Sequence, residues 1–410
     1  MSQETATADA DKTFEKTRQK LGKWGFDQLK QTVKWVASPI GLRPSTRNLS
    51  DQLRDFAQSA LRRGTDAARI STSPKAAAAS LTELRNKAEV YYLVRGNRHS
   101  LGIPAEAPVP FPLDTYLEKA YDREDFAALF AVEGLGREFG KSQLILDPNV
   151  SGILLEENQP NLPGKSLFML HAGVGMGFAK HLLDQLPKDH GRPELREAIN
   201  SFVTLCRSNS RPGYQIAALE PLGLVTRTFH GHLTNDVDKI LSEDHPDIRG
   251  LFWHGAGRAV YFLAKNSMPC ATWDSCLQCE GESVDEETKK QLFAGHAWAF
   301  TMTNMRHPEV LLHTFVGPHA SDHPFPELFG RGVAAAVVMR EDSSPDTDII
   351  SQLQEFDSIP ESSRTEWDQL VLDPTTQALD ELTRTGSAAA WMNNAFSYTE
   401  SAPDSPTKAS

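Results

Sequence analysis

Short glycine-rich phrases return six times between Phe126 and Met339, and no other feature of this chain restricts its fold as much. They centre on Glu133-Gly134-Leu135-Gly136, His171-Ala172-Gly173-Val174-Gly175, Pro221-Leu222-Gly223, His254-Gly255-Ala256-Gly257, Gly295-His296-Ala297 and Gly330-Arg331-Gly332. The first glycines fall at 134, 173, 223, 255, 295 and 330, with gaps of 39, 50, 32, 40 and 35 residues. Periods of this length are the mark of stacked helical units. A mid-helix glycine costs about 1 kcal/mol relative to alanine, so its recurrence needs a compensating contact. Small residues at i, i+2 and i+4 would flatten one side of a helix and let a neighbouring backbone approach. The segments between phrases, such as Glu194 to Leu205 and Glu286 to Phe293, read as partner helices. The expectation is an all-α fold, a helical-pair repeat array (a superhelix or α/α ring) with basic N-terminal helices outside it.

The chain has 410 residues, ample for a sizeable core, and composition rules out a disulfide scaffold or a wholly disordered protein. The net charge of −12 argues against general nucleic-acid binding. That charge is divided. Residues 1–98 hold 18 Lys+Arg and 10 Asp+Glu, and the remainder holds 24 and 44. Lys12 to Val36 reads as a basic amphipathic helix and Leu49 to Ile70 as a second helix, separated by Pro39 and Pro44. These helices either pack on the acidic body of the same chain, dock an acidic partner or anionic membrane surface, or stay solvated. Residues 99–124 read as a connector, 125–342 as the glycine-marked domain, 343–398 as a C-terminal helical region and 399–410 as a disordered tail. No segment nears the ~18 apolar residues of a membrane span. The N-terminus lacks an apolar signal core, and four cysteines suit a reducing compartment, so the expected location is cytoplasmic.

The chemical candidates sit in the phrases. His171 and His254 precede glycine pairs at nearly equivalent positions, with Glu133 in the matching place of the first phrase. In a curved array equivalent positions face one hollow, so His171, His254 and Glu133 are expected to converge as an acid–base site. His230, His232, His296 and Arg258 are the expected ligand-binding residues. An interhelical ion pair is the alternative role for Arg258. Phe229-His230-Gly231-His232 is too little for a metal site by itself. Cys276-Leu277-Gln278-Cys279, with Cys270 nearby, has zinc-like spacing but no second pair, so free thiols remain the simpler reading. Gly173-Val174-Gly175 starts like a dinucleotide loop, but Phe178 stands where the third glycine belongs. No cofactor can be named from these residues.

The ordered phrases Glu133-Gly134, His171-Ala172-Gly173-Val174-Gly175, Thr228-Phe229-His230-Gly231, His254-Gly255-Ala256-Gly257-Arg258-Ala259 and Arg331-Gly332-Val333-Ala334 resemble the UnbL-like family, a domain of unknown function encoded beside enediyne polyketide synthases. The similarity spans about residues 125–340. It implies an accessory protein of antibiotic biosynthesis that acts on or binds a long polyunsaturated polyketide-derived or fatty chain, a lipophilic small molecule. A non-catalytic scaffold or chaperone for a biosynthetic partner protein, held through the basic N-terminal region, is the alternative. Whether the protein is an enzyme is left open, and the resemblance assigns no catalytic residue.

Overall fold

A computed structural model describes residues 74–104, 106, 109–263, 266, 271–316, 326–345 and 347–396. The basic helices expected over Lys12–Val36 and Leu49–Ile70, the C-terminal tail and Cys270 lie outside the described residues. Among those described there is no strand, and the protein is all-α. Its principal helices are α1 Pro74–Arg95, α2 Asp125–Leu146, α3 Leu167–Asp184, α4 Arg192–Asn209, α5 Pro221–Phe229 and α6 Thr234–Asp244. They continue as α7 Pro246–Phe262, α8 Ala271–Glu282, α9 Glu286–Asn304, α10 Pro326–Ser343, α11 Asp373–Thr385 and α12 Ala388–Phe396.

Burial pattern separates two layers. Every residue of Leu167–Ala179 in α3 and of Leu251–Tyr261 in α7 is buried, which requires neighbours on all sides. The helix α4 instead buries one side, Leu195, Ile199, Phe202, Val203, Leu205, Cys206 and Asn209, and leaves its other residues half-buried or exposed. The inner helices are the ones that carry the glycine phrases: α2, α3, α5, α7, α9 and α10. Each packs on the next in that order, and the row curls so that α10 also touches α3. Outside it, α4 lies on α3, α6 on α7, and α8 on both α7 and α9.

The glycines explain how the inner row is built. Residues i and i+2 of a helix lie about 200° apart, so a Gly-x-Gly pair serves two opposite edges and does not flatten one side. A methyl group on Gly255 would overlap the carbonyl of Glu220 at the N-cap of α5, and one on Gly257 the Leu292 carbonyl of α9. Gly134 likewise meets Leu93 of α1 while Gly136 meets Leu170 and Gly173 of α3. Gly173 faces back to Glu133 and Arg137, and Gly175 faces forward to Ala218. The pair is therefore the signature of a helix wedged between a preceding and a following backbone. From Gly136 against Gly173 to Gly140 against Val174, contact positions rise together along α2 and α3, so these two helices run parallel.

Two expected partner elements differ from the reading above. Glu286–Phe293 is the first half of α9 itself, because Asp285 caps the helix through Thr288 N at 2.8 Å and nothing breaks it before Asn304. Its outer partner is α8. Between α2 and α3 stands a loop with one 3₁₀ turn, Gly164–Ser166, where a partner helix would fit the pairing. Asn209 at the end of α4 holds that loop through Ile153 N at 3.0 Å and the Val150 carbonyl at 2.9 Å.

The helix α1, grouped by charge with the basic N-terminal region, packs against α2 and α9. Lys87 is 2 % exposed and reaches Glu83 at 2.9 Å and the Asn266 carbonyl at 2.9 Å. Within 99–124 the segment Leu113–Tyr121 is helical, and it packs on α2.

Replacing Gly223 by Ala should therefore destabilise the protein by about 1–3 kcal/mol, since the added methyl meets the Phe252 carbonyl. Gly281→Ala, in α8 with open space around it, should be neutral or stabilising by up to about 1 kcal/mol. Urea unfolding of both variants checks the opposite signs.

Candidate functional site

The wedge geometry decides which side chains face the hollow. If the first glycine of a pair is set at 0° and the second at about 200°, the residue before the pair lies near 260° and the residue three after the first glycine near 300°. Both fall in the same arc between the two neighbour-facing edges. The residue between the glycines, near 100°, faces the other way. Glu133, Ala172 and His254 hold the preceding place, and Arg258 and Trp298 hold the place three after Gly255 and Gly295. All five line one central cavity.

Glu220 joins them. Gly223 faces forward onto Phe252 and Ala256 of α7, so it is the second glycine of a pair whose first place is taken by Pro221. Glu220 then precedes the pair, as Glu133 and His254 do. The sequence reading missed it because it set Gly223 in the first place. Moving that phrase by two residues would have revealed it.

These groups form one ionic network. Arg258 donates from Nη2 to Glu133 Oε1 at 2.9 Å and from Nη1 to Glu220 Oε2 at 2.6 Å. His254 Nδ1 lies 2.9 Å from Glu220 Oε1. The Arg258 guanidinium carbon sits 4.4 Å from the Trp298 ring centroid. Glu133, His254 and Arg258 are 2 %, 2 % and 6 % exposed, so the charges are screened by each other and hardly by water. Around them are apolar walls from Phe168, Ile216, Leu251, Met339 and Met392. The cavity leaves about 30 Å³ in which the centre of a water molecule can sit.

Electrostatics divide the two carboxylates. Burial raises Glu133 above the usual carboxylate range, and the guanidinium of Arg258 offsets this only in part while the Glu220 charge adds to it. Burial also opposes ionisation of Glu220, but Arg258 and the His254 hydrogen bond outweigh it and hold Glu220 below that range. Burial lowers His254, with Glu220 opposing. Glu133 is thus the carboxyl that takes a proton more readily, and Glu220 the one that gives it up more readily. The neutral imidazole donates Nδ1–H to Glu220, which leaves its lone pair on Nε2. Two groups of tuned and opposite proton demand in one buried cavity form an acid–base arrangement.

The remaining expected residues go elsewhere. His171 does not join Glu133 and His254. It stands one residue too early, about 100° away from the inward arc, and Ala172 takes the inward place. Its Nδ1 donates to the Leu167 carbonyl at 2.7 Å and its Nε2 accepts from Arg211 N at 3.1 Å, with the ring stacked on Tyr214 at 5.1 Å between centroids. Both backbone partners fix a neutral tautomer and a bracing role. His296 occupies the place between the two edges and faces the outer layer, where Nε2 lies 2.6 Å from Ser275 Oγ of α8. His230 sits at the end of α5 with Nε2 3.3 Å from Asp184 Oδ1. Although burial raises Asp184, hydrogen bonds from His230 and Lys180 bring it down to about 2. His232 is exposed. Neither residue lines the cavity.

No group of three or more His, Cys, Asp or Glu among the described residues is placed to hold a metal ion. Cys276 and Cys279 are free, buried thiols on α8, pushed up by burial. Also among the described residues, no helix is long and apolar enough to cross a membrane. Comparison with protein-family models, curated proteins and solved structures gives no match, so the functional reading rests on the geometry of the site.

Two measurements follow from these environments. Burial takes His171 from 6.5 down to about 4. Between those values the unfolded chain binds more protons, so stability falls as pH drops from about 6.5 to about 4, by about 3 kcal/mol for this group. The stability difference between wild type and His171→Gln should shrink by that amount between pH 7 and pH 4 in urea titrations. Arg258→Met strands two buried carboxylates and should cost about 3–5 kcal/mol. Adding Glu220→Gln should recover a large part of this loss in the same assay.

Proposed function

We propose that the central cavity is an acid–base site for a lipophilic small molecule. The observation that carries this reading is the buried Glu133–Arg258–Glu220–His254 network facing apolar walls. Burying two carboxylates and a guanidinium gives little net stability compared with a well-packed apolar core, so a network of this kind is better accounted for by chemistry. In this reading Glu220 sets the imidazole tautomer and His254 Nε2 takes a proton. Glu133 holds or delivers one, and Arg258 balances the charge as protons move. His254 and Glu133 are the catalytic residues, and Arg258 and Glu220 position them.

The substrate implied by the resemblance, a long polyunsaturated polyketide-derived or fatty chain in cytoplasmic antibiotic biosynthesis, suits the apolar walls and exceeds the 30 Å³ of free space. Its reacting end would enter as the wall at Met339 and Met392 shifts, which unbranched thioether side chains accommodate readily. The same small volume favours a second reading, in which the network only braces α2, α5 and α7 in a scaffold for a biosynthetic partner protein.

Wild type and His254→Asn protein, purified from the native host and extracted for mass spectrometry, distinguish the two. The acid–base reading expects both to carry an apolar compound, with the variant's compound differing in structure from that of the wild type. The same compound in both, or none in either, would end it in favour of the brace.

A further inference from the structure

Hydrogen-bond accounting around the cavity leaves two donors over. Trp298 Nε1–H and Arg258 Nε–H are buried, and neither has a partner among the described residues. The two side chains are 3 % and 6 % exposed, line the same cavity and stack on each other. An indole N–H and a guanidinium N–H can only donate. Buried donors of this kind are rare in folded proteins and call for an acceptor that occupies the site. The open space suffices for one oxygen atom, since a water molecule needs roughly 10–15 Å³ on the same measure.

The chemistry of that acceptor is narrowed by its surroundings. A carboxylate would bring a third negative group to a place where one guanidinium already serves two, and the excess charge would be buried. A hydroxyl would bring a proton needing an acceptor of its own, and the acceptors that line the cavity, His254 and the carboxylates, are the ones the acid–base reading keeps for its own proton transfer. A carbonyl oxygen has two lone pairs for two donors and no proton. Phe168, Ile216 and Leu251 offer the rest of the molecule apolar contact only.

We infer that the ligand of this cavity presents a neutral carbonyl oxygen, received by Trp298 Nε1–H and Arg258 Nε–H, on an otherwise apolar body. The inference rests on the reading of the cavity as a small-molecule site and adds the ligand's chemical class. Trp298 is then a binding residue beside the acid–base pair.

The test uses the full chain labelled with ¹⁵N and three probes: 2-heptanone, its isostere 2-methyl-1-heptene, which lacks the oxygen, and heptanoate. The chain has seven tryptophans, and the Trp298 indole N–H resonance is the one lost in Trp298→Phe. The expected result is a downfield shift of that resonance with 2-heptanone, and binding of the ketone about tenfold tighter than the alkene or the carboxylate. Trp298→Phe should weaken the ketone about tenfold and leave the alkene unchanged. If that variant fails to fold, the comparison of probes on the wild type decides alone. Equal binding of ketone and alkene, tightest binding of heptanoate, or no movement of the Trp298 resonance with any probe would overturn the assignment. Such a failure leaves the acid–base reading standing, because that reading is tested by the change in the bound compound and not by its functional group.

Discussion

Backbone-to-backbone contact at the wedged glycines is the constraint from which the rest of this protein follows. At Gly173, Gly255 and Gly257 the neighbouring carbonyl oxygen occupies the place where a side chain would begin. A helix held in this way on both edges has only two arcs left for side chains, one toward the hollow and one toward the outer layer. Each inner helix therefore spends a small number of positions on the cavity, and those positions are fixed relative to its glycines. Burial of every residue over Leu167–Ala179 in α3 and Leu251–Tyr261 in α7 is the direct result. The helices gain no stability from propensity at these glycines, and packing of the whole row has to supply it.

The same geometry makes the ionic network possible. Glu133 and Arg258 are 125 positions apart in sequence and meet at 2.9 Å, because both belong to the inward arc of helices on different parts of the curl. Glu220, at the N-cap of α5, connects Arg258 to His254. One cation shared by two carboxylates cannot keep both at ordinary acidity in a buried place. The carboxylate held by two partners stays ionised and the other rises. Proton demand within the cavity is thus unequal by construction, and the inequality comes from how many donors each carboxylate receives.

Much of the fold was legible in the sequence, and for a definite reason. Glycines in a helical segment are costly, so their periodic return at Gly134, Gly173, Gly255 and Gly295 identified the inner helices correctly and excluded a sheet. The shared facing of Glu133 and His254 was legible as well, since each directly precedes its glycine pair. What failed was phase. Counting the pair as one flattened side hid the fact that i and i+2 point apart, and with it the difference between His171 and Ala172. Glu220 was hidden because Pro221 replaces the glycine that would have marked it. His296 carried the right chemistry on the wrong arc. Trp298 drew no role from the sequence, because its lack of a hydrogen-bond partner becomes visible only in three dimensions.

The wedge also bears on how such a hollow could change its contents. Helices that touch through main-chain atoms cannot spread apart by small steps without parting altogether, and they cannot come closer. The bore is therefore set by the backbone, and adjusting what fits inside it falls to the few inward side chains. Ala172 and Ala217 are short, whereas Met339 and Met392 are long, and all four line the cavity. Lineages that exchange size among these four places would recalibrate the chamber without touching the row that frames it.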